Sequence, residues 1–258
     1  MATTYTEHFQ LPKHAPTDPF DITLINEMAD KTEAGILSAY RGMAANNLLD
    51  NSYFVKPYNQ LGKTVYTGTA NVYTIDRWLA STAAVSINLL TNGISIDNSA
   101  STGANGHMNQ RLEGIADGTY TLCASTSNGM LMRCFRLSNG TVTSISNVNA
   151  GAAFTGVGYN TTTGFLTVQI GVQPSSAVTV FWAALYEGSY TAATLPNYLR
   201  KGPAAEQMEC MRYFHLYATQ AARPANGLDS VPHMRIKNPT QGTVVIDSIT
   251  YYYNDANL

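Results

Sequence analysis

Charge is the first thing this 258-residue sequence has little of. Asp, Glu, Lys and Arg make up 12% of it, about half the usual share of roughly 25%. The net balance is −2 and no run of Lys or Arg occurs. The basic stripe that nucleic acid or an anionic membrane demands is therefore missing, which argues against both as partners. Cysteine is scarce too. Cys123, Cys134 and Cys210 are odd in number and form no Cys-x-x-Cys pair, which suits buried small hydrophobes better than a disulfide frame. Such usage fits synthesis in a reducing cytoplasm. No stretch approaches the roughly 18 consecutive apolar residues of a membrane-spanning helix, so no membrane insertion is expected. The opening Met1-Ala-Thr-Thr-Tyr5-Thr-Glu-His8 lacks the basic and apolar segments of a signal peptide.

What is there points to a folded, neutral, β-rich chain. Apolar residues reach 45%, and 16 Tyr outnumber 8 Phe and 2 Trp, a composition that excludes disorder. At this length a chain buries about 70% of its extended surface. The Pro-punctuated run Leu11-Pro12-Lys13-His14-Ala15-Pro16-Thr17-Asp18-Pro19 reads as an extended arm over residues 1–20, because each Pro fixes φ and biases its predecessor to extended geometry.

Residues 21–46 read as a helical stem. Its helix runs from about Asp21 to Met43, capped by Asp21 or Thr23 and ended at Asn46-Asn47. Ile22, Ile25, Ala29, Thr32, Ile36, Ala39 and Met43 alternate in steps of three and four, the a/d rhythm of a coiled coil. Ile22, Ile25, Ala29 and Ile36 are the expected oligomerisation residues, and Ile at both a and d favours three or more strands. Thr32 and Gly35 weaken the seam. The alternative is an amphipathic helix packed on its own domain.

Residues 47–258 read as a mainly β body, an antiparallel sandwich and most simply a jelly roll. Asn92-Gly93, Asn105-Gly106, Asp117-Gly118, Asn128-Gly129 and Asn139-Gly140 are hairpin-turn signals. Two hairpins are predicted: Met130–Leu137 with Thr141–Val148, and Gly164–Val172 with Ala177–Tyr186. Residues 198–258 either complete the sandwich or form a small subdomain. There Pro203 opens a short helix to about Met211, followed by a strand over Arg212–Tyr217 and another over Val244–Tyr253.

Catalytic motifs are hard to find. Gly62-Lys63-Thr64 lacks the Gly five residues earlier that a phosphate loop needs, since position 57 is Pro. Nucleophile-elbow, zinc-helix and dinucleotide fingerprints are absent. His8, His14, His107, His215 and His233 offer no metal-binding pair, so no metal and no cofactor is expected. Nor is a catalytic residue. Glu113, Asp117, Glu187 and Asp247 are the carboxylates a glycan hydrolase would have to pair across a cleft, and no spacing ties any two together. His215 reads as a satisfied or half-buried core residue. The polar segment Asp97–Asn109 is long enough to be functional, and Asn105, His107 and Asn109 are its candidate ligand-binding residues. Tyr, Asn and Thr in a β body suit recognition of neutral sugars, although Tyr is also a common strand residue.

Three segments resemble phage and prophage tail fibres and receptor-binding proteins. Leu11–Asp30 is similar to their virion-proximal segment, an extended stretch leading into D-(I/V)-x-x-(I/F)-N-x-x-(A/M)-D. Asn47-Leu-Leu-Asp-Asn-Ser-Tyr-Phe54, Pro57, Asn59-Gln60, Gly62 and Tyr73-Thr-Ile-Asp-Arg-Trp78 look like the NLLDN…P-x-NQ-x-G…YTIDRW opening of their jelly-roll domains. Ala205–Phe214 is similar to E-L-x-x-C-Q-R-Y-(Y/F), followed by Val231-Pro232 and the terminal Tyr252–Leu258. The middle, about 80–195, is unmatched. The resemblance implies a homotrimeric virion appendage whose arm meets other virion proteins and whose body binds a host cell-surface glycan. Alternatives are a purely structural adaptor or head fibre, or a polysaccharide depolymerase. Read physically, the motif residues are structural. Ile75 and Trp78 suit a buried strand, Asp76 and Arg77 a mutual charge pair, and Asn47, Asp50 and Asn51 a capped turn.

Overall fold

A computed structural model describes residues 4–5, 12–13, 22–42, 46–54, 59–67, 72–80, 85–116, 118–128, 131–136, 141–147, 152–154, 157–159, 166–225, 227–229, 234 and 239–255. Most of the predicted arm, Asp21, Met43, Pro57, Asp117, the Ser138-Asn139-Gly140 turn and Val231-Pro232 fall outside them. The chain divides into two compact units, Met1–Ala45 with Ala193–Leu199, and Asn46–Ala192 with Arg200–Leu258.

In the first unit, β1 (Thr4–Tyr5) and β2 (Pro12–Lys13) pair antiparallel, Thr4 with Lys13 and Tyr5 with Pro12. Helix α1 follows over Ile22–Gly42, matching the three-four spacing. A Glu27–Lys31 ion pair of 2.6 Å stands on its surface, and the Thr32 hydroxyl donates to the Met28 carbonyl at 2.7 Å. Ile25, Ala29, Thr32, Ile36 and Ala39 are all exposed, Ile36 by 64%. None of the described side chains of α1 is buried.

The second unit is mainly antiparallel β. Its strands are β3 (Val65–Thr67), β4 (Val72–Tyr73), β5 (Leu79–Ala80), β6 (Ser86–Leu90), β7 (Gly93–Asp97), β8 (Gly106–Leu112), β9 (Thr119–Thr126), β10 (Leu131–Arg136), β11 (Thr141–Asn147), β12 (Ala152–Phe154), β13 (Val157–Tyr159), β14 (Leu166–Val172) and β15 (Ala177–Glu187). Helix α2 (Pro203–Met211) follows, then β16 (Phe214–Tyr217), β17 (Thr240–Ile246) and β18 (Ile249–Asp255). A six-stranded sheet runs β13-β10-β14-β8-β5-β4, a seven-stranded sheet β12-β11-β9-β15-β7-β6-β3, and a small sheet β16-β18-β17. Only the β9–β11 and β10–β13 pairs are parallel among the described strands.

The two large sheets share one core. Met108, Met132, Val168 and Ile170 enter it from the first, Ile87, Ile94, Leu122 and Val180 from the second, and Leu49, Phe54 and Trp78 close it. Alternation makes this possible, since every second residue of a strand points to one face. The three cysteines are free and buried, and burial pushes the Cys123 and Cys134 thiols up to about 12.

Both predicted hairpins are crossings from one sheet to the other. Strand β10 pairs with β13 and β14, whereas β11 pairs with β9 and β12. Likewise β14 lies between β10 and β8, and β15 between β9 and β7. A turn signal reports that the chain reverses, not which sheet takes the next strand. Here β10, β14 and β15 meet both edges with strands other than the predicted hairpin partner, and β11 lies between β9 and the next strand, β12. The link from β14 to β15 is pinned by such contacts: the Asn98 amide donates to the Gln173 carbonyl at 3.2 Å, and the Ser175 N–H donates to the Ser101 carbonyl at 2.9 Å. The predicted single strand Val244–Tyr253 is in fact the hairpin β17–β18, reversing at Asp247-Ser248 with φ of 49° and 66°.

Candidate functional site

Two of the three segments that carry the resemblance, the one opening at Asn47 and ending at Trp78 and Ala205–Phe214, converge on one structural knot. The Asp50 carboxylate faces Arg77 Nε at 3.2 Å and Lys201 Nζ at 2.9 Å, and Lys201 also reaches Glu209 at 2.6 Å. Burial alone would raise the Asp50 carboxyl, but Lys201 and Arg77 hold it below the ordinary range, whereas burial keeps Glu209 above it. Trp78 Nε1 donates to the Asp50 and Asn51 carbonyls at 3.1 and 3.0 Å. Gln110 clasps the Asp50 backbone from β8, accepting from its N–H at 2.8 Å and donating to its carbonyl at 2.7 Å. From α2, the buried Glu206 accepts the Asn51 N–H.

Asp76 and Arg77 do not pair with each other, contrary to expectation. They sit in one tight turn, closed by the Trp78 N–H on the Ile75 carbonyl at 2.9 Å, with Arg77 at φ 70°. Successive turn residues diverge. Arg77 reaches Asp50, the Arg111 carbonyl at 2.6 Å and the Tyr213 ring 3.3 Å from its guanidinium carbon. Asp76 accepts instead from the Gln60 N–H at 3.0 Å and from its side-chain amide at 3.4 Å. Gln60 in turn caps the open edge of β16, donating to the Phe214 carbonyl and accepting from the Leu216 N–H. The knot is occupied with holding α2 and β16 against the sandwich.

Asn105, His107 and Asn109 lie elsewhere. Residues 98–105 form the loop, while Gly106–Leu112 is strand β8 rather than the continuing polar loop the sequence suggested. The loop is fastened internally: Ser99 N–H donates to Asp97 at 2.9 Å, and the Asn98 amide and the Ser101 hydroxyl both donate to the Ala104 carbonyl. Half-buried Asn105 ends it. Met108 and Leu112 face the core, so His107, Asn109 and Arg111 project from the opposite, outer face.

That face carries a cross-strand row. Tyr73 on β4 registers with Leu79 on β5, Leu79 with Asn109, and Asn109 with Gln169 on β14. Directly opposed side chains are about 5 Å apart. His107 registers with Gly171, where a Cβ would stand 2.1 Å from the Gly106 carbonyl oxygen and 2.8 Å from the imidazole, so only glycine lets the two strands approach. Asn109 is 7% exposed, and its Oδ1 has no hydrogen-bond partner among the described residues. The Asn109 and Gln169 amides are direct neighbours, and the buried Leu79 separates them from the half-buried Tyr73. Sequence reasoning missed Gln169 and Tyr73 because cross-strand register is invisible locally.

The carboxylates considered for hydrolysis are not gathered by any described contact. Glu113 follows β8, Glu187 ends β15 and Asp247 is in the β17–β18 turn. His215, half-buried on β16, stacks on Tyr217 at 4.3 Å, and burial lowers its pKa. Among the described residues no group of three or more His, Cys, Asp or Glu side chains is placed to hold a metal ion, and no helix is long and apolar enough to cross a membrane. No protein-family model matches the chain, and neither a curated protein nor a solved structure shows significant similarity to it.

Proposed function

We propose that this chain is a virion appendage, a phage tail fibre or receptor-binding protein, that attaches the particle to its host by multivalent, non-covalent binding of a cell-surface glycan. Residues 1–20 meet other virion proteins, α1 is the coiled-coil stem of a homotrimer, and the sandwich is a jelly roll presenting the glycan face. No bond in the glycan is broken. The observation that carries the binding reading is the cross-strand row Tyr73, Leu79, Asn109 and Gln169, whose half-buried ends, Tyr73 and Gln169, offer an aromatic ring and an amide on one sheet face. The virion setting rests on the tail-fibre resemblance of the three motif segments.

The test is binding of labelled protein to whole host cells with and without periodate oxidation of their glycans. Binding should vanish after periodate and fall at least tenfold in Asn109→Ala with Gln169→Ala. Binding that survives periodate would reject the glycan, and no binding across hosts would favour a purely structural virion component.

A further inference from the structure

The small sheet treats its two edges differently. The β16 edge is closed by the Gln60 amide, which mimics a neighbouring strand by donating to the Phe214 carbonyl and accepting from the Leu216 N–H. The β17 edge has no strand partner among the described residues. Natural edges are usually blunted by charge, Pro or a bulge. Strand β17, Thr-Gln-Gly-Thr-Val-Val-Ile, has no charged residue and no Pro over seven residues, its register with β18 is unbroken, and Val245 is 63% exposed.

The direction of its backbone groups follows from the turn. A two-residue loop at Asp247-Ser248 makes Ile246–Ile249 the closing hydrogen-bonded pair, so Ile246, Val244 and Gly242 bond to β18. Gln241, Thr243 and Val245 then turn their N–H and C=O groups outward. Beside this edge lies a groove of about 360 Å³ whose walls are Leu61, Lys63 and Val65 on one side and Val245, Ile246 and Asp247 on the other. Apolar side chains stand in both walls, but the exposed lining is more polar than apolar, with a cation on one side and an anion on the other.

We propose that the β17 edge and this groove are a docking site for an extended peptide strand of a partner protein. Outward backbone groups at alternate residues call for another extended backbone, which a glycan does not supply. The partner strand pairs with Gln241, Thr243 and Val245 and places an apolar side chain between Val65 and Ile246. An acidic and a basic side chain on the same segment answer Lys63 and Asp247. The site goes beyond the glycan reading and does not depend on it.

The test pans the full-length chain against a displayed library of random octapeptides. Enriched peptides should show apolar residues at alternate positions and bear both charges. They should bind Val245→Pro at least tenfold more weakly and Val245→Thr within about twofold, because Pro removes an outward donor while leaving the β18 ladder intact. Independently of whether Val245→Pro folds, saturating peptide should slow amide exchange at Gln241, Thr243 and Val245 in the unmodified protein and leave Gly242 and Val244 unchanged. Absence of enrichment over bare support, or exchange unaffected at those three amides, overturns the proposal. So does a self-associated form that Val245→Lys abolishes with no peptide bound, since the occupant would then be a second copy.

Discussion

The Arg77 guanidinium meets the Asp50 carboxylate, the Arg111 carbonyl and the Tyr213 ring from a backbone held at φ 70°. A non-glycine residue there costs roughly 1–3 kcal/mol, offset by the contacts of Nε, Nη2 and the guanidinium face, although Nη1 is buried with no hydrogen-bond partner among the described residues. Truncating Arg77 to Ala leaves Asp50 buried against Lys201 alone, and should destabilise the fold by about 3–5 kcal/mol in urea unfolding. A loss below about 1 kcal/mol would mean the knot is ornamental. Its neighbour Asp76 behaves oppositely. It is 6% exposed and faces Gln60 without a cation, and burial pushes its carboxyl up to about 8. The folded value lies above the unfolded one, so its contribution is fully present below about pH 4 and is lost as pH rises through 8. Asp76→Asn should therefore gain stability relative to the parent between pH 5 and 8.5, on the order of a few kcal/mol at most. Parallel urea midpoints across that range would refute the neutral carboxyl. Asp50, held low by Lys201 and Arg77 against its burial, acts with the opposite sign and loses its contribution as pH falls into the acid range. Adjacent Asp and Arg read as a pair in sequence, but the turn that separates their side chains is set by partners 16 and 27 residues away.

Among the elements, α1 and α2 were legible because three-four spacing and an N-terminal Pro are local signals. Strand existence was legible from alternation, whereas pairing was not. The Ser175 N–H on the Ser101 carbonyl and the Asn98 clasp show that contacts more than 70 residues apart decide which sheet receives β15. The outer row at Asn109 was half legible for the same reason: its own strand names His107 and Asn109, while Gln169 arrives by register. The hidden β17–β18 reversal has a different cause. Asp247 and Ser248 both occupy left-handed backbone that hairpin turns usually give to Asn-Gly, so the sequence runs through it like a strand. Replacing the pair by Asn-Gly should relieve part of that strain and raise stability by about 1 kcal/mol, read as a higher urea midpoint with an unchanged slope. A lower midpoint would show that Asp247 makes a contact worth more than the strain.

For the whole molecule, the decisive surface is on α1. A helix of 21 residues with no buried side chain among the described ones gains little from packing on its own chain, and helices in proteins draw their stability from a packed face. The exposed line of Ile25, Ala29, Thr32, Ile36 and Ala39 has the spacing that a coiled coil would cover. If three copies cover it, replacing Ile25 and Ile36 by Asp puts like charges into the seam, and light scattering should show monomers instead of trimers. Function should change with assembly. Three linked sites gain roughly 10²–10⁴ over one, so the same variant should lose that factor in apparent affinity for host cells. Its affinity for a soluble monovalent glycan should stay unchanged, because the Asn109 row lies on the sandwich and not on the helix. A monomer that still binds cells as tightly as the parent would separate assembly from attachment and leave α1 as a packing element alone.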